Sequence, residues 1–147
     1  LYFQENGIIY TTNVWCIYQY AVAANMTNEI TDVLNRLKNS TPEIMGGAVI
    51  SIDGVLIAKV MPHRVDEDLF GGMASSMLGV GERISAELMN SEMQQLYVRS
   101  HNGYVIVNAV GENASLVVLV AAKVKLGLIF LELKRAINQL EQMIDKV

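Results

Sequence analysis

The chain has 147 residues, of which 52% are hydrophobic and 18% charged, with a formal charge of −4 and a pI near 5.1. That size and apolar share suit a single core and exclude an intrinsically disordered chain. No apolar run approaches the roughly 18–20 residues that cross a bilayer, so no direct membrane insertion is expected. An acidic chain also lacks the broad positive footprint that nucleic acid requires.

Cys16 is the single cysteine, so no internal disulfide can form, which fits a reducing, cytoplasmic setting. The sequons at Asn25, Asn39 and Asn113 carry little weight without a secretory signal. Leu1-Tyr2-Phe3-Gln4 matches the end of a tobacco etch virus protease site, a frequent scar of recombinant expression, and Met26 looks like a natural start. Residues 1–25 are therefore read as an expression-derived or variable N-terminal extension, and residues 26–147 as the domain. Within the extension, Ile8–Tyr20 is β-prone and is expected to add a strand to an open sheet edge.

A first helix is expected from about Thr27 to Lys38. Ile30, Val33, Leu34 and Leu37 recur at helical spacing, with Thr27 as N-cap and Pro42 just beyond. Two strands follow, Ala48–Ile52 and Val55–Val60, joined at Asp53-Gly54 by an expected type I′ turn. Pro62 ends the second strand because it has no amide hydrogen.

A long helix is expected from about Asp66 to Met89. Asp66 caps it, and Glu67 and Asp68 complement its positive end. Leu69, Met73, Met77, Val80, Ile84 and Leu88 form one apolar stripe along it. Three strands come next. Gln95–Ser100 and Tyr104–Val110 flank Asn102-Gly103, a second type I′ signal. Gly111-Glu112-Asn113 then turns the chain into Ser115–Ala121, whose Leu-Val-Val-Leu-Val core is apolar on both faces and should lie centrally, covered on both sides. A last helix is expected from Leu126 to Ile144, with Ile129, Phe130, Leu133, Ile137, Leu140 and Ile144 inward and Lys134 and Arg135 in solvent.

The order helix-strand-strand-helix-strand-strand-strand-helix, with tight hairpins, gives an α+β domain on a five-stranded antiparallel sheet. That order, with Gly46-Gly47-Ala48-Val49-Ile50-Ser51-Ile52-Asp53-Gly54, the long middle helix, the Gly103 hairpin, Leu116–Val120, and Leu126-Gly127-Leu128 leading into Leu131-Glu132-Leu133-Lys134, resembles the roadblock/dynein light chain family. The resemblance covers residues 27–145. It implies two helices on one face of the sheet and one on the other. It also implies a non-catalytic module that forms homodimers and binds or regulates a small Ras-like GTPase. Alternatively, it implies an adaptor subunit of a larger assembly without direct GTPase contact.

The middle helix carries Gly71, Gly72, Gly79 and Gly81. Each interior glycine costs a helix about 1 kcal/mol relative to alanine, so something must offset roughly 3–4 kcal/mol. Gly72, Ser76, Gly79 and Arg83 share a stripe beside the apolar one. Such a stripe suits a helix–helix seam between subunits, or close packing of the helix on its own sheet. With Met73 they form the expected interface, joined by Gln95, Tyr97 and Arg99 if that strand lies at the sheet edge, where its open backbone would pair with a second copy. Family dimers join their sheets in that way. Arg83 and Arg99 are candidate contacts to the GTPase.

No cofactor or metal is expected. Gly79-Val80-Gly81 begins a dinucleotide fingerprint, but its third glycine position is Ile84, and the stretch lies inside a helix. His63 and His101 fall in loops or turns, with no Cys or His beside them. No serine has an identifiable histidine partner, and the carboxylates are spread over helix surfaces.

Overall fold

The computed structural model describes residues 2–5 and 8–144, with side chains from Val22 onward. Among the described residues, seven strands and three helices follow one another as β1 (Tyr2–Glu5), β2 (Ile8–Thr11), α1 (Thr12–Ser40), β3 (Ile44–Ser51), β4 (Leu56–Val60), α2 (Glu67–Met89), β5 (Leu96–Ser100), β6 (Gly103–Val110), β7 (Ala114–Ala121) and α3 (Leu126–Ile144). β3–β7 form a five-stranded antiparallel sheet in the order β4-β3-β7-β6-β5. β7 is central, and Leu116, Val117, Val118 and Val120 along it are buried, as its two-faced apolar run requires.

The N-terminal segment differs from expectation. Ile8–Thr11 pairs with Tyr2–Glu5 in a separate two-stranded sheet instead of extending the main one. The helix begins at Thr12, not at Thr27, so Thr27 is no cap; its carbonyl accepts the Thr31 hydroxyl at 2.8 Å inside the helix. No glycine or proline lies between Thr12 and Ser40. A helix already nucleated over Ile30–Leu37 therefore propagates backward at little cost, and elongation overrides the modest β-preference of Val, Ile and Tyr.

The side chains sort into two layers about the sheet. α1 and α3 cover one face, where Ile30, Leu34, Val49, Ile106, Leu116, Val118, Leu133 and Leu140 make the larger core. α2 alone covers the other, over Ala48, Ile50, Val107 and Val117. α3 spans the expected Leu126–Ile144, with Ile129, Leu133, Ala136 and Leu140 buried and Lys134 and Arg135 exposed.

Neither hairpin is the expected type I′. Among the described non-glycine residues only Asn90 has positive φ, so Asp53 and Asn102 do not supply the left-handed positions that turn needs. At the first tip, Gly54 N donates to Ser51 O at 2.9 Å and Ser51 N donates to Val55 O at 2.8 Å. That is a three-residue loop ending on Gly54 at φ +85°. At the second, Ser100 pairs with Gly103, which leaves His101-Asn102 as the loop.

Gly103 serves the sheet instead of the turn. A Cβ there would lie 2.0 Å from the Val120 carbonyl oxygen. Gly71 is as constrained, since its Cβ would lie 1.9 Å from the Gly54 carbonyl oxygen. Gly71→Ala and Gly103→Ala should each cost at least about 2 kcal/mol, because backbone must move to admit the methyl. Gly127→Ala, whose Cβ meets nothing within 4 Å, should be neutral or slightly stabilising. Urea unfolding of the three variants checks the contrast.

Candidate interaction surface

α2 starts where Asp66 Oδ1 accepts the Leu69 amide at 3.1 Å, with Glu67 and Asp68 in its first turn. It stops at Asn90, in the left-handed conformation at φ 49°. Ser75 Oγ donates to the Ile52 carbonyl at 2.9 Å, and Glu67 pairs with Lys59 on β4, so the helix is also tied to the β3–β4 hairpin.

The fully buried residues of α2 are small or few, Gly71, Ala74, Leu78 and Gly81, with Phe70 and Met77 packed in part against the same core. The apolar stripe read from the sequence turns mostly outward. Leu69, Met73, Val80, Ile84 and Leu88 are 60%, 52%, 58%, 52% and 77% exposed, while Met77 is half-buried. Periodicity had found a real face, but it is not the core face.

The four glycines divide in the same way. Gly71 fits against Gly54, and Gly81 makes room for the Met93 sulfur and Leu96, which a Cβ would meet at 2.5 and 3.2 Å. Both are explained by packing within the chain. Gly72 and Gly79 face open space, with nothing within 4 Å of a Cβ. Ser76 beside them is exposed and spends its hydroxyl on the Gly72 carbonyl at 2.8 Å. Arg83 is exposed and pairs with Glu87 at 3.2 Å along the helix.

Between this helix and the sheet edge runs an open, mostly apolar groove of about 800 Å³. Leu69, Met73, Val80 and Ile84 form its helical wall, and Leu96 and Val98 of β5 its floor. Leu96 and Val98 were absent from the expected interface. Strand alternation would have found them, since it places them together on one face and Tyr97 with Arg99 on the other. The structure thus brings Gly72, Met73 and Ser76 into the groove, leaves Gly79 and Arg83 on the exposed side of α2, and places Tyr97 and Arg99 on the opposite face of the sheet, where Tyr97 meets Phe130 of α3. Gln95 precedes β5 and is half-buried, with its Nε2 lacking a hydrogen-bond partner among the described residues.

The two sheet edges are unequal. β4 faces a register irregularity at Val49/Ile50, carries Lys59 in its ion pair, and is packed by α1. Such features blunt an edge. β5 pairs only with β6, and four of its five residues are exposed. His63 and His101 are exposed, and among the described residues no three His, Cys, Asp or Glu are grouped to hold a metal. No described helix is long and apolar enough to cross a membrane.

The exposure pattern gives a direct check. In dilute solution, Val80→Ser and Ile84→Ser should change unfolding stability by less than about 1 kcal/mol, whereas Leu78→Ser, on the buried side, should cost at least about 3 kcal/mol. Urea titrations of the three variants distinguish an outward stripe from a core stripe.

Residues 29–120 match the family model described as Roadblock/LC7 domain. The uncharacterised protein MJ0714 of Methanocaldococcus jannaschii is 39% identical over 105 residues, covering 71% of this chain and 88% of that protein. Among solved structures, MglB of Myxococcus xanthus superimposes with a TM-score of 0.73 at 18% identity, over 82% of this chain and 90% of that one. A Roadblock/LC7 domain from Streptomyces avermitilis gives 0.70 at 16% identity, over 78% and 96%. At these identities the two structures establish a shared fold.

Proposed function

The chain belongs to the Roadblock/LC7 domain family, and from that premise we propose that it is a non-catalytic regulatory module that pairs with a second copy of itself along α2 and β5 and, so paired, binds a small Ras-like GTPase and modulates its nucleotide cycle. The observation that carries this reading is the outward apolar wall of α2 beside the open edge of β5.

The apolar area left open along this surface supports such pairing. Leu69, Met73, Val80, Ile84 and Val98 are each about half exposed. Covering the rest of each contributes about 1 kcal/mol, hence about 5 kcal/mol per copy and about 10 kcal/mol for two. Association itself costs about 4–15 kcal/mol, so the side chains alone bring the pair to the threshold. Backbone pairing along two β5 edges adds to that total and fixes the register. Gly72 and Gly79 let the second helix approach where larger side chains would hold it away. Their helix-propensity cost is then offset by contact between copies.

Arg83 stands on the exposed side of α2 and is the candidate contact to the GTPase from this surface. Its pairing with Glu87 is exposed at both ends and contributes little, so the guanidinium is free to exchange partners. The module acts by holding the GTPase's switch loops in one arrangement.

Gel filtration with light scattering should give the mass of a dimer for the unaltered chain. Gly72→Leu and Gly79→Leu should shift it toward monomer while circular dichroism stays unchanged, since a leucine at either position meets open space within one chain. If both variants stay dimeric, the seam lies elsewhere. Mixing the protein with the Ras-like GTPases of its source organism should yield a complex and a changed rate of hydrolysis or exchange with one of them. Dimers that bind none of these and alter no rate would leave the adaptor role instead.

A further inference from the structure

The α2 groove accounts for one face of β5 and leaves the other unexplained. On that other face Tyr97 is 51% exposed, with its ring 6.2 Å from Tyr104 in an edge-on contact and 6.4 Å from Phe130. The Arg99 guanidinium lies 5.9 Å from the centre of the Tyr104 ring. Among the described residues no carboxylate forms a salt bridge with Arg99. α3 packs against α1 and β6 and meets β5 where Phe130 touches Tyr97, so the outer rim of this cluster stays open.

We propose that the shelf made by Tyr97, Arg99, Tyr104 and Phe130, on the α1–α3 face of β5, is a docking site for an acidic segment of a partner protein that also carries an aromatic or aliphatic side chain. Charge complementarity selects this occupant. The chain as a whole is acidic, at −4, yet among the described residues no carboxylate pairs with the arginine on this rim. The ring of Tyr104 lies within cation–π reach of the guanidinium and favours its position on this face. The planar fork takes a carboxylate through two parallel hydrogen bonds, which a lysine would not reproduce. Tyr97 and Phe130 supply rigid apolar area beside that charge, and tyrosine and arginine are the residue types that dominate binding energy at protein interfaces.

Single-stranded RNA is the competing occupant, because aromatic side chains on a sheet can stack bases. It is disfavoured here because such binding needs several phosphates neutralised along a positive groove, and one arginine on an acidic molecule does not provide that. The shelf lies on the opposite face of β5 from the α2 groove, and in the paired form proposed above, with β5 edges joined, the shelves of the two copies adjoin across the seam.

The test is fluorescence anisotropy with a fluorescein-labelled, glutamate-rich peptide containing two tryptophans, titrated with the full chain. Saturable binding is expected, weakened about tenfold by Arg99→Glu and by Tyr97→Ala and less by Arg99→Lys. Val80→Ser, in the groove, should bind the peptide as the unaltered chain does. All these positions are exposed, and circular dichroism verifies that each variant folds. The proposal is overturned by the absence of saturable binding, by unchanged affinity in Arg99→Glu, by equal affinity for the lysine counterpart of the peptide, or by displacement of the peptide by poly-uridine RNA at lower concentration than by unlabelled peptide.

Discussion

The close approach of α2 to its sheet is the constraint on which the rest of the molecule depends. Gly71 lies against Gly54 at a distance no side chain would allow, and Gly81 admits Met93 and Leu96 beneath the helix. With Ala74 and Leu78 these are all the fully buried residues the helix presents to its own core. A helix seated so closely on so small a face admits few of its larger apolar residues, Phe70 and Met77 in part. Leu69, Met73, Val80 and Ile84 therefore stand in solvent, where a monomeric protein ordinarily places charge.

The asymmetry of the sheet follows from the same arrangement. α1 and α3 seal one face with a large core, while α2 covers only part of the other. β4 is tied down by α1 and by the Lys59–Glu67 pair. β5 has no such protection on its outer edge, and both of its faces reach water. The unguarded strand and the outward stripe of α2 adjoin each other, which makes a single continuous surface from two features that would otherwise need separate explanations.

Much of this was legible in the residues. The β7 run announced a central strand, the α3 spacing gave its bounds, and Asp66 marked the start of α2. The turns were misread because Asp-Gly and Asn-Gly are compatible with several loop geometries. The choice among them depends on contacts the local sequence does not contain, such as the Val120 carbonyl over Gly103. The backward extension of α1 was missed because helix propagation is cooperative and ignores weak local preferences. Most instructive is α2, where helical spacing identified an apolar face correctly but could not say whether it meets the chain's own sheet or another molecule. Both environments demand the same residue types. The glycines held the missing information in pairs, Gly71 and Gly81 facing inward and Gly72 and Gly79 outward, and only the packed structure separates them. Alternation on β5 would have grouped Leu96 with Val98 and Tyr97 with Arg99, and the structure turns the first pair toward the helix.

Contact between copies along α2 is the central claim, and inter-molecular distance measurement addresses it without reliance on mass or stability. A chain with Cys16→Ser and a single spin label introduced through Glu82→Cys, exposed on α2 beside the Gly72–Gly79 stripe but not on it, should give a narrow, short label-to-label distance by pulsed electron resonance. A label introduced through Asn35→Cys, exposed on α1, should give a longer one. A Glu82 label that shows no dipolar coupling, in a sample at concentrations well above those of the cell, would contradict the account.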